Sequence, residues 1–71
     1  MVINSMVELA LNKLIESGID FTEDPFVVSD EEAKRCFEAA RYLGKRPTHI
    51  YFGPKKAAYI YWQKVYNKLH K

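Results

Sequence analysis

Ser29–Gly44, SDEEAKRCFEAARYLG, carries the signals for a helix and for both of its ends. Ser29 with Glu32 forms the S-x-x-E pattern of a capping box, in which the two side chains close off backbone N–H groups that lack a helical partner. Asp30, Glu31 and Glu32 crowd the first turn, where the helix dipole favours anions. Ala33, Cys36, Phe37, Ala40 and Leu43 recur at helical spacing and predict one buried stripe. Glu31 stands four residues before Arg35, and Lys34 four before Glu38, so charge pairs lace the outer face. Gly44 stops the helix in the C′ role. A helix is therefore expected over 30–43.

The same grammar extends outward on both sides. Ser5 and Glu8 repeat the capping pattern, Val7, Ala10, Leu11, Leu14 and Ile15 repeat the stripe, and Gly18 repeats the stop. This predicts a helix over 5–17. Leu9 falls off that stripe, beside Asn12, Lys13 and Glu16; it is either a wide-face core residue or an exposed contact. Residues 19–28 read as extended or looped, with Asp24-Pro25 a turn or strand entry and Phe26-Val27-Val28 a short β-favouring run. Beyond Gly44, residues 45–48 read as a loop and His49-Ile50-Tyr51-Phe52 as a short strand. Gly53-Pro54 breaks that strand and opens a third helix, expected over 54–69. Ala58, Tyr61, Trp62, Val65 and Leu69 form its core stripe, and Lys56, Gln63, Lys64, Asn67 and Lys71 the opposite face. Ile60 sits among those polar residues.

The expected fold is α+β, mostly α, with helices at about 5–17, 30–43 and 54–69. Segments 26–28 and 49–52 can pair as a short two-stranded ribbon. If parallel, the pair needs a crossover, which the middle helix is long enough to supply. So short a pair also needs helices packed on it. With 71 residues, 48% of them hydrophobic and 14% aromatic, the chain is expected to fold as one compact domain, 1–71. Its core is limited by its size.

Composition narrows the function. Cys36 is the only cysteine, so neither an internal disulfide nor a CxxC zinc site can form, and a reducing, cytoplasmic setting is the simpler expectation. No signal peptide pattern opens the chain, and no apolar run approaches the roughly 20 residues needed to span a bilayer. Nucleophilic catalysis needs a thiol or hydroxyl held against a base, whereas Cys36 lies on a predicted buried stripe. His49 and His70 stand too far apart for metal-ligand spacing. The three glycines all fall at element boundaries and make no phosphate loop. The acids of 23–24 and 30–32 lack EF-hand spacing and suit helix capping. No catalytic residue, metal ligand or cofactor is expected, and the chain is not expected to be an enzyme.

Charge carries the strongest functional signal. Residues 1–44 hold four bases against nine acids, a net −5, while 45–71 hold seven bases and no acid, a net +7; together they give the +2 of the whole chain. Tyr51, Phe52, Tyr59, Tyr61, Trp62 and Tyr66 lie in the basic part. A basic, aromatic-rich surface suits a polyanion or an acidic protein face. Phosphates are met by lysine and arginine, and bases stack on aromatic rings. Lys45, Arg46, Lys55, Lys56, Lys64 and Lys71 are thus candidate nucleic-acid contacts, for DNA or RNA. Tyr61 and Trp62 are expected in the core, and the acidic half can also pair with the basic half within the fold or in a dimer.

Glu38-Ala39-Ala40-Arg41-Tyr42-Leu43-Gly44 resembles the first helix and turn glycine of a helix-turn-helix, with Ala40, Leu43, Gly44 and Ile50 matching its small, apolar, glycine and apolar positions. The resemblance covers about residues 36–54 and implies DNA contact through a following helix. It departs from the pattern at Lys45, where an apolar residue usually follows the glycine, and at Gly53-Pro54, which interrupts the recognition helix.

The leading expectation is a small non-enzymatic nucleic-acid-associated or regulatory module using the basic C-terminal half. The alternative is a protein-binding adaptor or inhibitor that docks on a larger, acidic partner through Leu9, Tyr42 and Ile60, the apolar residues lying off the stripes.

Overall fold

A computed structural model describes residues 5–45 and 53–70, which hold three α-helices and one 3-10 turn: α1 Ser5–Glu16, the turn Pro25–Val27, α2 Asp30–Tyr42 and α3 Pro54–Leu69. All three predicted helices are present, with ends within one residue of expectation. α1 and α2 stop in the same way. Gly18 and Gly44 take positive φ, 101° and 75°, a backbone state that glycine adopts without steric cost. Ile19 N–H bonds Leu14 O and Gly18 N–H bonds Ile15 O; Lys45 N–H bonds Ala40 O and Gly44 N–H bonds Arg41 O. Both are Schellman motifs. Their outcomes differ in the residue after the glycine. Ile19 is buried and seals α1 onto the core, whereas Lys45 is exposed.

At the start of α2, Ser29 Oγ accepts the Glu32 N–H at 3.2 Å and donates to Glu32 Oε1 at 2.9 Å. The capping box is thus closed by a side chain–side chain bond. Ser5 opens α1 at the edge of the described residues.

The predicted ribbon is not formed. Phe26 and Val27 belong to the 3-10 turn, and no strand occurs among the described residues. Asp24 Oδ1 accepts the Phe26 N–H at 2.9 Å, Pro25 takes the first position, and Val28 N–H returns to Pro25 O. Local capping by Asp24 thus takes the N–H that a ladder would need. Its intended partner, 49–52, lies outside the described residues. The turn and second helix of the helix-turn-helix resemblance fall largely on 46–52, outside the described residues. The next helix described after α2 starts at Pro54.

The core forms where α2 and α3 pack, closed by α1 and by the loop between them. Leu11, Cys36, Trp62 and Val65 are fully buried, and Ala33, Ala40 and Ala58 let the helices approach closely. Several stripe residues sit further out than expected: Ala10, Ile15, Phe37, Leu43 and Tyr61 are half-buried, and Leu69, in the last turn, is exposed. Tyr59 is fully buried and Gln63 half-buried, because α3 is covered on a second side. The loop after α1 folds over it, burying Ile19 and Phe21. Tyr59 Oη donates to the main-chain oxygens of Asp20 and Glu23 at 2.8 and 3.0 Å, and Gln63 Nε2 to those of Phe21 and Glu23 at 3.0 and 2.9 Å. Two side chains one helical turn apart thus satisfy the carbonyls of a loop that would otherwise be costly to bury. Phe21 stacks on Tyr59 with ring centroids 5.4 Å apart.

Candidate docking groove and basic surface

Leu9 and Tyr42, isolated on separate helices by the sequence, line one groove. α1 contributes Met6, Leu9, Ala10, Lys13 and Leu14, and the turn after it Ser17, an i, i+3, i+4 row that overlaps the edge of the core stripe. α2 contributes Arg35, Ala39 and Tyr42, and its C-cap Leu43. The groove holds about 470 Å³. Its apolar rim stands in the open: Met6 is 59% exposed, Leu9 57% and Tyr42 85%. Arg35 closes one side, its guanidinium donating to Ser17 O at 3.4 Å and pairing with Glu31 at 3.2 Å. No carboxylate lines the groove. Ile60, the third predicted anchor, is half-buried on α3 and does not reach it. Met6 is the rim residue that sequence reading missed; it precedes the first residue of the apolar stripe, and only the α2 wall reveals its role.

Of the predicted basic residues that are described, Lys55 and Lys64 do not share a face of α3. Lys45, Lys55 and Lys64 are exposed. Lys55 and Lys64 are nine residues apart on α3, which at about 100° per residue places them on opposite sides of the helix. Lys56 is half-buried and its Nζ donates to Phe26 O at 3.3 Å. Arg46 and Lys71 lie outside the described residues. The acidic half does not neutralise these lysines: the ion pair found among the described residues, Arg35–Glu31, is internal to α2.

The aromatic rings of α3 are engaged with the fold. Trp62 and Tyr59 are fully buried. Tyr61 packs edge-on to Trp62 at 5.2 Å, and Tyr66 stacks with His70 at 4.5 Å. Tyr51 and Phe52 lie outside the described residues.

Cys36 is in the core, as its stripe position predicts. Burial, aided by the nearby Glu32 carboxylate, pushes its thiol from 9.0 up to about 12, so the thiolate needed for nucleophilic attack is disfavoured. The Tyr59 phenol is likewise pushed to about 12, first by burial and then by the Glu23 and Asp20 carboxylates. Asp20 moves the other way: its Oδ1 accepts the Thr22 hydroxyl and N–H at 2.6 and 2.9 Å, which lowers its pKa. This fixes an Asx turn at the loop's start. No group of three or more metal-ligating side chains occurs among the described residues, and no helix described is long and apolar enough to cross a membrane.

No protein-family model, curated protein or solved structure matches the chain. Any account of function therefore rests on the groove and the charge pattern themselves.

Proposed function

We propose that this chain is a non-enzymatic protein-binding module that docks through the α1–α2 groove. One observation carries this reading: Leu9 and Tyr42, two of the three apolar residues that the helical stripes leave over, converge on a single concave surface and stay exposed there. A large side chain held in water beside an apolar trough contributes binding free energy when a partner covers it. The decisive experiment places a photo-crosslinking amino acid at position 9 or at position 64 in the cells that make the protein. A discrete protein adduct from position 9, and none from 64, is the expected result. Adducts from 64 alone, lost on nuclease treatment, would overturn it.

A second reading, association with DNA or RNA, is favoured by the exposed Lys45, Lys55 and Lys64, which have no ion-pair partner among the described residues. It is weakened by the placement of Lys55 and Lys64 on opposite sides of α3 and by the burial of Trp62 and Tyr59, which removes stacking surfaces. Binding of this kind would be weak, sequence-independent and steeply salt-dependent, and an anisotropy titration at about 50 mM salt measures it.

A further inference from the structure

We propose that the occupant of the groove is an amphipathic α-helix of a partner protein, carrying an acidic residue that meets Lys13; this rests on the groove being the docking surface. Both walls of the groove are helices, whose backbone groups are spent within the walls. No strand occurs among the described residues, so no described sheet edge borders it. An extended peptide brings a donor and an acceptor at nearly every residue and would leave them unmet against such walls. Among the polar side chains of the lining, Ser17 Oγ already donates to Leu14 O at 2.7 Å and Arg35 is engaged by Ser17 O and Glu31; Lys13 and the Tyr42 hydroxyl are too few to meet an extended backbone. A helix satisfies its own backbone and needs only an apolar stripe to lie between the walls. The α1 row from Met6 to Ser17 extends about 16 Å at about 1.5 Å per residue, matching three turns of such a helix.

Charge selects the partner further. Lys13 is exposed on the lining and forms no ion pair among the described residues, and no acid lines the groove. A second copy of this chain, packed face to face, would present the same acid-free lining and offer no carboxylate from it to Lys13. A foreign helix with a carboxylate beside its apolar stripe complements the rim instead.

The test is a selection of displayed, randomised peptides of about 12–18 residues, three to five helical turns, against the folded 71-residue chain. Enriched sequences should share apolar residues at i, i+3 or i+4, and i+7, with an acid at a fixed offset. A synthetic representative should gain helicity on binding. Its affinity should fall about tenfold or more on Leu9→Lys or Tyr42→Lys, with circular dichroism confirming that each variant is folded and Leu9→Ser replacing any that is not. Lys13→Glu should weaken it several-fold, and a peptide with lysine in place of the acid should recover the loss. Apolar spacing without acid enrichment, and indifference to Lys13→Glu, would overturn the charge assignment while leaving the groove as the docking surface. Binders that stay extended would overturn the helix. Binders indifferent to both Leu9→Lys and Tyr42→Lys would remove the groove itself. No enrichment, with self-association abolished by Leu9→Lys in sedimentation, would make a second copy the occupant and overturn the foreign partner.

Discussion

The indole N–H of Trp62 donates to the main-chain oxygen of Cys36 at 2.9 Å, and both residues are fully buried. The bond ties the middle of α3 to the middle of α2, and the ring fills the space between the two helices. Trp62→Ala removes both and leaves a cavity, at a cost of about 3–5 kcal/mol. A domain of this size has about 4–10 kcal/mol to lose, so the variant should be largely unfolded or close to it. Trp62→Phe keeps much of the volume and loses the donor, and should cost about 1–2 kcal/mol. Urea denaturation followed by far-ultraviolet circular dichroism separates the two; equal costs would mean that the bond, not the packing, dominates.

Cys36 and Tyr59 make stability fall in alkali. Their protons leave the unfolded chain near the ordinary values of 9.0 and 10.0, while in the fold both groups hold them to about 12. Above about pH 9 the unfolded state therefore binds fewer protons than the folded one, and stability declines as pH rises. Below that pH the contribution is fully present. Thermal melts from pH 7 to 11 should show this decline. Cys36→Ala should flatten its first part and Tyr59→Phe its later part. Tyr59→Phe should also cost about 1 kcal/mol at neutral pH, because the loop carbonyls lose a donor. In the native state a thiol reagent should reach Cys36 slowly, and quickly after denaturation.

The helices were legible because their ends are encoded locally. Ser29 with Glu32, Gly18 and Gly44 act within one turn of themselves, so their signals survive without tertiary information. The segment 19–28 was not legible for the converse reason. Ile19 and Phe21 are core residues without periodicity, and their burial depends on Tyr59 and Gln63, about forty residues away. The same contact explains why Gln63, polar and off the stripe, turns inward. Phe26-Val27-Val28 looked like a strand by composition, but Asp24 and Pro25 set a turn first. At the candidate site, Leu9 and Tyr42 were visible as apolar residues with no stripe to join. That they share one groove depends on how α1 meets α2, which neither helix encodes alone. The lysines were visible as a charge run, but the run itself does not say that Lys55 and Lys64 take opposite sides of α3 or that Lys56 bonds Phe26 O.

Gly53 offers room for improvement. It caps α3 with φ −66° and ψ 170° and provides no side-chain hydrogen bond, and a Cβ built on it meets nothing within 4 Å. Gly53→Ser or Gly53→Asp supplies the missing acceptor in a conformation any residue adopts, and should stabilise by a few tenths of a kcal/mol, up to about 0.5. Gly18→Ala is the contrast. It too meets open space, but its φ of 101° strains any side chain, so the change should cost about 1 kcal/mol or more. Denaturation midpoints for the pair test whether backbone conformation, not crowding, decides at these glycines.

Leu9, Tyr42, Ile60 and Lys64 together separate fold from function. Leu9, Tyr42 and Lys64 are exposed, so Leu9→Ser, Tyr42→Ser and Lys64→Ala should each leave stability within about 0.5 kcal/mol. Ile60 is half-buried on α3, so Ile60→Ala should cost about 1 kcal/mol. Their effects on binding should diverge. If the groove is the working surface, Leu9→Ser and Tyr42→Ser weaken partner binding strongly, Lys64→Ala and Ile60→Ala leave it nearly unchanged, and salt weakens it only modestly, through the single pair at Lys13, because the other contacts are apolar. If the lysines are the working surface, Lys64→Ala weakens nucleic-acid binding and lowers its salt slope by about one unit, while the groove variants are silent. An effect of Ile60→Ala on binding larger than its effect on stability would shift the interface to the outer side of α3 and away from the groove.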